Sequence, residues 1–262
     1  MAGVVAEVGS KVFDHRVGDR VFGLLAGGGY TSKVATHQGL ALPIPPNLDF
    51  LQAVAVPEVF LTAYNALFNN CRLKMGETMP IHAEGSVVGT AAIQLAKLVG
   101  TFTMATAGSP EKLSKAADLG LDLGINYRKQ GFAQVIQEHT NGKGVEVILD
   151  VVGGPYWERN LASLAEQGRM VVVSTLGGGE VEVNLRSLMP KRLRVSGTVL
   201  QARSPGEKLI VTHQFARHVL LHLVRGSLHP VIDRVFPLEQ VSQAHRYMER
   251  NANFGKIVLE IG

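Results

Sequence analysis

The sequence is short of cysteine: Cys71 is the only one in 262 residues. A lone cysteine excludes an intramolecular disulfide and a multi-cysteine metal site, and it fits a reducing compartment. Long apolar runs are lacking too. No stretch approaches the roughly 18 to 20 apolar residues that span a bilayer, and the opening MAGVVAEVGSKV has no apolar core of the signal-peptide kind. No membrane partner is expected, and the cytoplasm is the expected location. Charge of one sign is also scarce, since 26 basic and 22 acidic residues leave a net charge of +4. With no basic stripe interleaved with aromatics, which make up 6% of the chain, no nucleic-acid partner is expected. The mild positive balance suits a small anionic ligand. What is plentiful is apolar: 46% of residues are hydrophobic and 18% charged, enough for a sizeable core in one large domain or two modest ones.

Short β-patterned runs open the chain at 2–8, 19–25 and 30–36, with the small residues 26–29 separating the last two. Pro43, Pro45 and Pro46 close this region, and Asn47 is a candidate N-cap for a helix over 48–55. From about Val59 apolar strands alternate with amphipathic helical segments. The strands read as 78–82, 102–107, 124–127, 145–151, 169–174 and 194–199. The helices read as 89–99, 110–119, 132–139, 156–164 and 185–190. A helix over 207–225, a strand over 231–236, a helix over 238–249 and a strand over 257–261 follow. The alternation predicts an α/β fold with a doubly wound parallel sheet, whose strands end along one ligand-binding edge. The two ends of the chain, 1–58 and 204–262, are expected to form a second domain around a central one at 59–203.

The most informative segment runs from Ile81 to Lys97, where a strand, a small-residue loop and a helix follow one another. A helix N-terminus offers free N–H donors and partial positive charge to a pyrophosphate. An ordinary βα turn is the competing reading. About 20 residues beyond Gly89, where an NAD site usually carries an acidic residue, the chain has Gly108 and Ser109, with Lys112 one turn into the next helix. Ser109 can cap that helix and Pro110 fits its first position. A helix end, a hydroxyl and an ammonium favour a 2′-phosphate, hence NADP over NAD. The plainer alternative is a cap and a solvated lysine.

Several stretches carry a family likeness: VGDRVFGLLAGGGYTSKV at 17–34, VPEVFLTAYNAL at 56–67, GTAAIQLAKLVG at 89–100, TAGSPEKL at 106–113, GINYRK at 124–129, ILDVVGGPYWERNL at 148–161 and NFGKIVLEI at 253–261. In this order they resemble the zinc-independent quinone oxidoreductases of the medium-chain dehydrogenase/reductase superfamily, the zeta-crystallin-like branch. The resemblance implies a Rossmann domain with a GroES-like β-domain, usually in a homodimer. It implies NADPH as cofactor, no metal, and reduction of a small quinone or other conjugated carbonyl by hydride transfer. It places Ser86, Val87, Val88 and Gly89 along the pyrophosphate, and Gly108, Ser109, Lys112 and Tyr127 around the 2′-phosphate and adenosine. Val151, Gly153, Ser174, Leu176 and Gly177 would edge the ribose and nicotinamide. Thr62, Leu200 and Asn253 would lie near the nicotinamide end, with Thr62 the candidate at the substrate.

The chain also departs from that pattern. Its first residues match a strand that family members reach only after a substantial N-terminal stretch, so only part of the GroES-like domain is expected, with unpaired edges. Pro80 stands in a central strand, where it lacks a ladder donor. Glu84 stands in the phosphate loop, where it would repel a pyrophosphate. Val87 replaces a glycine, which is poorly tolerated if the position needs a positive φ. These changes leave a second reading open, a truncated or degenerate paralogue that folds and binds nucleotide without turnover.

Overall fold

Residues Ala2–Val4 (β1), Arg20–Gly23 (β2) and Ala41–Pro43 (β3) pair antiparallel in that order, with Gly3 opposite Val21 and Phe22 opposite Leu42. They open a computed structural model that describes residues 1–83 and 85–261. Two compact units emerge, residues 62–199 and residues 1–61 with 200–262. The strand predicted over 30–36 does not form. No neighbour offers it a ladder, its residues are exposed, and the Tyr30 hydroxyl instead meets His245 Nε2 at 3.0 Å. The predicted helix over 48–55 shortens to Phe50–Val54 (α1). Its cap is Asp49, which accepts the Gln52 N–H at 2.7 Å while the Gln52 side chain accepts the Asp49 N–H at 3.0 Å. Asn47, the predicted cap, donates to the Leu223 carbonyl instead. Helix α2 (Pro57–Tyr64) runs on into a π-helical turn, Asn65–Asn70.

The unit of residues 62–199 alternates strand and helix as its sequence pattern dictates. Its elements are β4 (Thr78–His82), α3 (Val87–Leu98), β5 (Phe102–Ala107), α4 (Pro110–Asp118), β6 (Leu123–Asn126), α5 (Phe132–His139), β7 (Val145–Asp150), α6 (Trp157–Ser163), β8 (Leu164–Val172) and β9 (Arg194–Gly197). All six strands are parallel, in the order β6-β5-β4-β7-β8-β9. This is the doubly wound order, and its direction reverses between β4 and β7, where such sheets open a crevice for ligand. Val147, Ile148, Leu149 and Asp150 are all buried, although successive side chains point to opposite faces, so both faces of β7 are covered. Met104, Ile125, Phe132, Ile148 and Met170 belong to one continuous core. The predicted helix over 185–190 is a 3₁₀ turn, Leu185–Leu188, opened by the Asn184 side chain, which accepts the Arg186 N–H.

Pro80 sits inside β4 without breaking it. β4 pairs with β5 over five residues but with β7 only at Ile81 opposite Leu149. The Glu146 carboxylate adds a tie by accepting the Thr78 N–H at 2.8 Å. The rest of the chain returns to the first unit. Helix α7 (Pro205–His218) begins on a capping box made by Ser204 and Glu207. The helix predicted over 207–225 is divided at Val219, whose φ of −119° leaves the helical range before α8 (Leu220–Val224) starts. Strand β10 (Ile232–Pro237), helix α9 (Val241–Glu249) and strand β11 (Lys256–Glu260) follow, with β10 and β11 parallel. The Asp233 carboxylate accepts the Tyr247 hydroxyl and the Phe254 N–H, joining these last elements.

Candidate functional site

At the end of β4 the backbone turns sharply. Ala83 takes φ +54°, and Ser86 then caps α3 by accepting the Gly89 N–H at 3.0 Å. The first N–H groups of a helix have no intrahelical acceptor, so those of Val87 and Val88 face out of the helix end. Such donors, with the helix dipole, fit an anion. The expected strain at Val87 is not found: it is the first residue of α3 and has no positive φ, and among the described residues of this loop the left-handed one is Ala83. The side chain of Val87 stands at the helix mouth. Glu84 lies outside the described residues.

The second corner lies at the ends of β5 and β6. Ser109 caps α4 by accepting the Lys112 N–H at 3.3 Å, and Pro110 follows at the first helical position. Lys112 thus stands in the first turn of α4. Tyr127, half exposed, lies just past β6. A β-carbon on Gly108 would stand 2.6 Å from the Tyr127 hydroxyl and 3.3 Å from Arg128 Nε. Gly108 and Tyr127 are therefore in contact, and the absence of a side chain at 108 makes the contact possible. Arg128 is a second cation at this corner that the sequence reading overlooked. Its place directly after Tyr127 was the available signal.

The third group gathers beyond β7. The Asp150 carboxylate, fully buried, accepts the Val152 N–H at 2.7 Å and the Gly153 N–H at 3.2 Å. Burial raises its pKa, against the lowering effect of these N–H donors. Gly153 takes φ +87°. Leu176 donates its N–H to the Val151 carbonyl at 3.0 Å, Gly177 to Val152 at 2.9 Å, and Gly154 to Gly178 at 2.9 Å. The turns holding Val151, Gly153, Ser174, Leu176 and Gly177 are thereby joined along one edge of the sheet.

Three candidates remain: Thr62, Leu200 and Asn253. Thr62 is buried in α2, within the unit of the parallel sheet. Leu200, buried, and Asn253 belong to the other unit, and the Asn253 amide donates to the Gly255 carbonyl within its own turn. Cys71 is buried, and burial pushes its thiol up to about 12, with Arg169 acting to lower it and Glu77 to raise it. Among the described residues no group of three or more His, Cys, Asp or Glu side chains could hold a metal ion. The described residues do not fit a zinc site. Among the described residues no helix is long and apolar enough to cross a membrane.

Residues 87–212 match a family described as "Zinc-binding dehydrogenase". The chain is 30% identical over 261 residues to the quinone oxidoreductase of Rattus norvegicus, covering 99% of this chain and 78% of that one. The chain belongs to the quinone oxidoreductase branch of the medium-chain dehydrogenase/reductase superfamily. Solved structures agree. The Escherichia coli quinone oxidoreductase complexed with NADPH superposes with a TM-score of 0.88 at 31% identity, over 98% of this chain and 80% of that one. The CurK enoyl reductase does so with a TM-score of 0.88 at 31% identity, over 100% and 77%. Like these relatives, this branch member is an oxidoreductase by family, and its three corners lie at strand ends where the doubly wound sheet takes ligands.

Proposed function

We propose that the protein reduces quinones or related conjugated carbonyls with NADPH, by hydride transfer and without a metal. The observation that carries this reading is the corner at Gly108. No carboxylate occupies the position that holds a ribose 2′-hydroxyl in NAD sites. Instead the phenol of Tyr127 and the guanidinium of Arg128 lie at Gly108, Ser109 caps the helix that follows, and Lys112 stands in that helix's first turn. This set suits a phosphoryl group. The N-terminus of α3 supplies N–H donors for a pyrophosphate, and the Val151–Gly153 and Ser174–Gly177 turns line a further edge of the same sheet.

When bound, the nicotinamide supplies the hydride. The chain's own residues bind, orient and exclude water. Gly153 permits a close backbone approach, and the half-exposed Tyr127 offers an aromatic face and a hydroxyl beside Gly108. The likeness to both quinone oxidoreductases and an enoyl reductase supports an electron-poor conjugated acceptor.

Lys112→Glu tests the reading. Exchanging an attractive for a repulsive charge should weaken NADPH binding by about 100-fold while NADH binding changes little. Fluorescence titration measures both. Equal losses for the two dinucleotides would remove Lys112 from the 2′-phosphate site, and absence of NADPH binding by the wild-type chain would overturn the function.

A further inference from the structure

A line of hydrogen bonds crosses the interior of the residue 62–199 unit from one loop to another. The Ala83 N–H lies 3.4 Å from Thr106 Oγ1, and Thr106 Oγ1 lies 3.1 Å from His82 Nδ1. His82 Nε2 lies 2.7 Å from Asn160 Oδ1, and Asn160 Nδ2 donates to Asp150 Oδ2 at 3.2 Å. Asp150 in turn accepts the N–H groups of Val152 and Gly153. His82, Asn160 and Asp150 are fully buried and Thr106 almost so.

One assignment of protons satisfies every partner. The amide oxygen of Asn160 only accepts, so Nε2 of His82 carries the hydrogen. Nδ1 is then an acceptor and takes the Thr106 hydroxyl proton, which leaves the Thr106 oxygen free to accept from Ala83. The polarity runs without reversal from the Ala83 amide to the Asp150 carboxylate. The imidazole must be neutral for this, and burial keeps it so by lowering the His82 pKa to about 4.

The position of this line gives it a use. It joins the left-handed Ala83, which opens the loop before α3, to the left-handed Gly153 beyond β7. These two points flank the place where the strand order reverses. The backbone tie there is thin, because β4 and β7 register a single pair. A fully satisfied buried network favours one geometry over its neighbours.

We propose that Thr106, His82, Asn160 and Asp150 are positioning residues that hold the Ala83 loop and the Val152–Gly153 turn at a fixed spacing, and so set the width of the dinucleotide crevice. The proposal rests on the NADPH reading above. The side chains in the middle are buried. They act through the backbone groups at each end.

Thr106→Val tests the proposal, since it cuts the line at its far end without touching residues 150–153. Amide hydrogen exchange at Val152 and Gly153 should quicken by about tenfold, while β8 amides keep their protection. The NADPH dissociation constant should rise by a similar factor, about tenfold, with kcat changing far less. Thr106→Ser should restore both. In the wild-type chain and in Thr106→Val alike the ¹⁵N spectrum of His82 should show the hydrogen on Nε2, with the Nδ1 resonance shifted in the variant by loss of the Thr106 hydroxyl. Unchanged exchange at Val152 and Gly153 in Thr106→Val, with NADPH binding intact, would overturn the positioning role alone. Altered exchange in a chain that never binds NADPH would overturn the crevice and the functional reading together.

Discussion

The hydroxyl of Tyr127 lies 2.6 Å from the point where a β-carbon on Gly108 would stand. The glycine is there for space, since its backbone needs no positive φ. Gly108→Ala should therefore cost about 1 kcal/mol through the forced displacement of the phenol. In a Tyr127→Ala background the same change should cost almost nothing. Urea midpoints with unchanged m values measure both, and an equal cost in the two backgrounds would mean that the phenol is not what limits position 108.

Gly153 is constrained twice. Its φ is +87°, and an added β-carbon would meet the Gly178 carbonyl oxygen at 2.6 Å. Gly142 has a similar φ of +77° with open space around it. Gly142→Ala should thus lose about 1 kcal/mol to backbone strain alone. Gly153→Ala should lose about 3 kcal/mol, since a backbone oxygen cannot move aside as a side chain can. Comparing the two variants by denaturant unfolding isolates the clash. Similar losses would show that the 174–178 turn yields readily.

His82 makes the fold sensitive to acid. Its folded pKa of about 4 lies below the ordinary value of 6.5, mainly because burial disfavours the charged form. The stability tied to its neutral form is complete above pH 6.5 and is lost as the pH falls toward 4, because the unfolded chain takes up the proton first. The loss over that window should be about 3 kcal/mol. Asp150, with its raised pKa, acts in the opposite sense at acid pH. His82→Gln should flatten the dependence between pH 6.5 and 4. Urea unfolding of both proteins across this range measures the difference, and parallel curves would show that His82 does not set it.

Much of the architecture could be read from residue patterns. The strands at Thr78–His82 and Phe102–Ala107 and the helix Phe132–His139 lie where their apolar spacing put them. Ser109 caps α4, as its place before Pro110 implied. These features depend on near neighbours in the chain: caps, prolines and the periods of 2 and 3.6 residues. Where a distant partner was required, the local pattern misled. The run over 30–36 has β-forming residues but no strand beside it, and Asn47 was drawn from capping by the carbonyl of Leu223. Val87 looked strained only because the loop's single left-handed residue among those described, Ala83, could not be located from its identity.

The candidate site divides along the same line. Gly108, Ser109 and Lys112 are close in sequence and could be recognised together, because a cap and the first turn of a helix are local objects. The chain by itself therefore determined the strand–helix rhythm, the open helix ends and the missing carboxylate at the second strand. Only the tertiary structure decided that His82 meets Asn160 across 78 positions, and that Arg128 stands beside Gly108. The physical reason is that periodicity and capping are carried by neighbours in the chain. The partners of a buried polar group are chosen when separate strands are laid side by side and water is excluded.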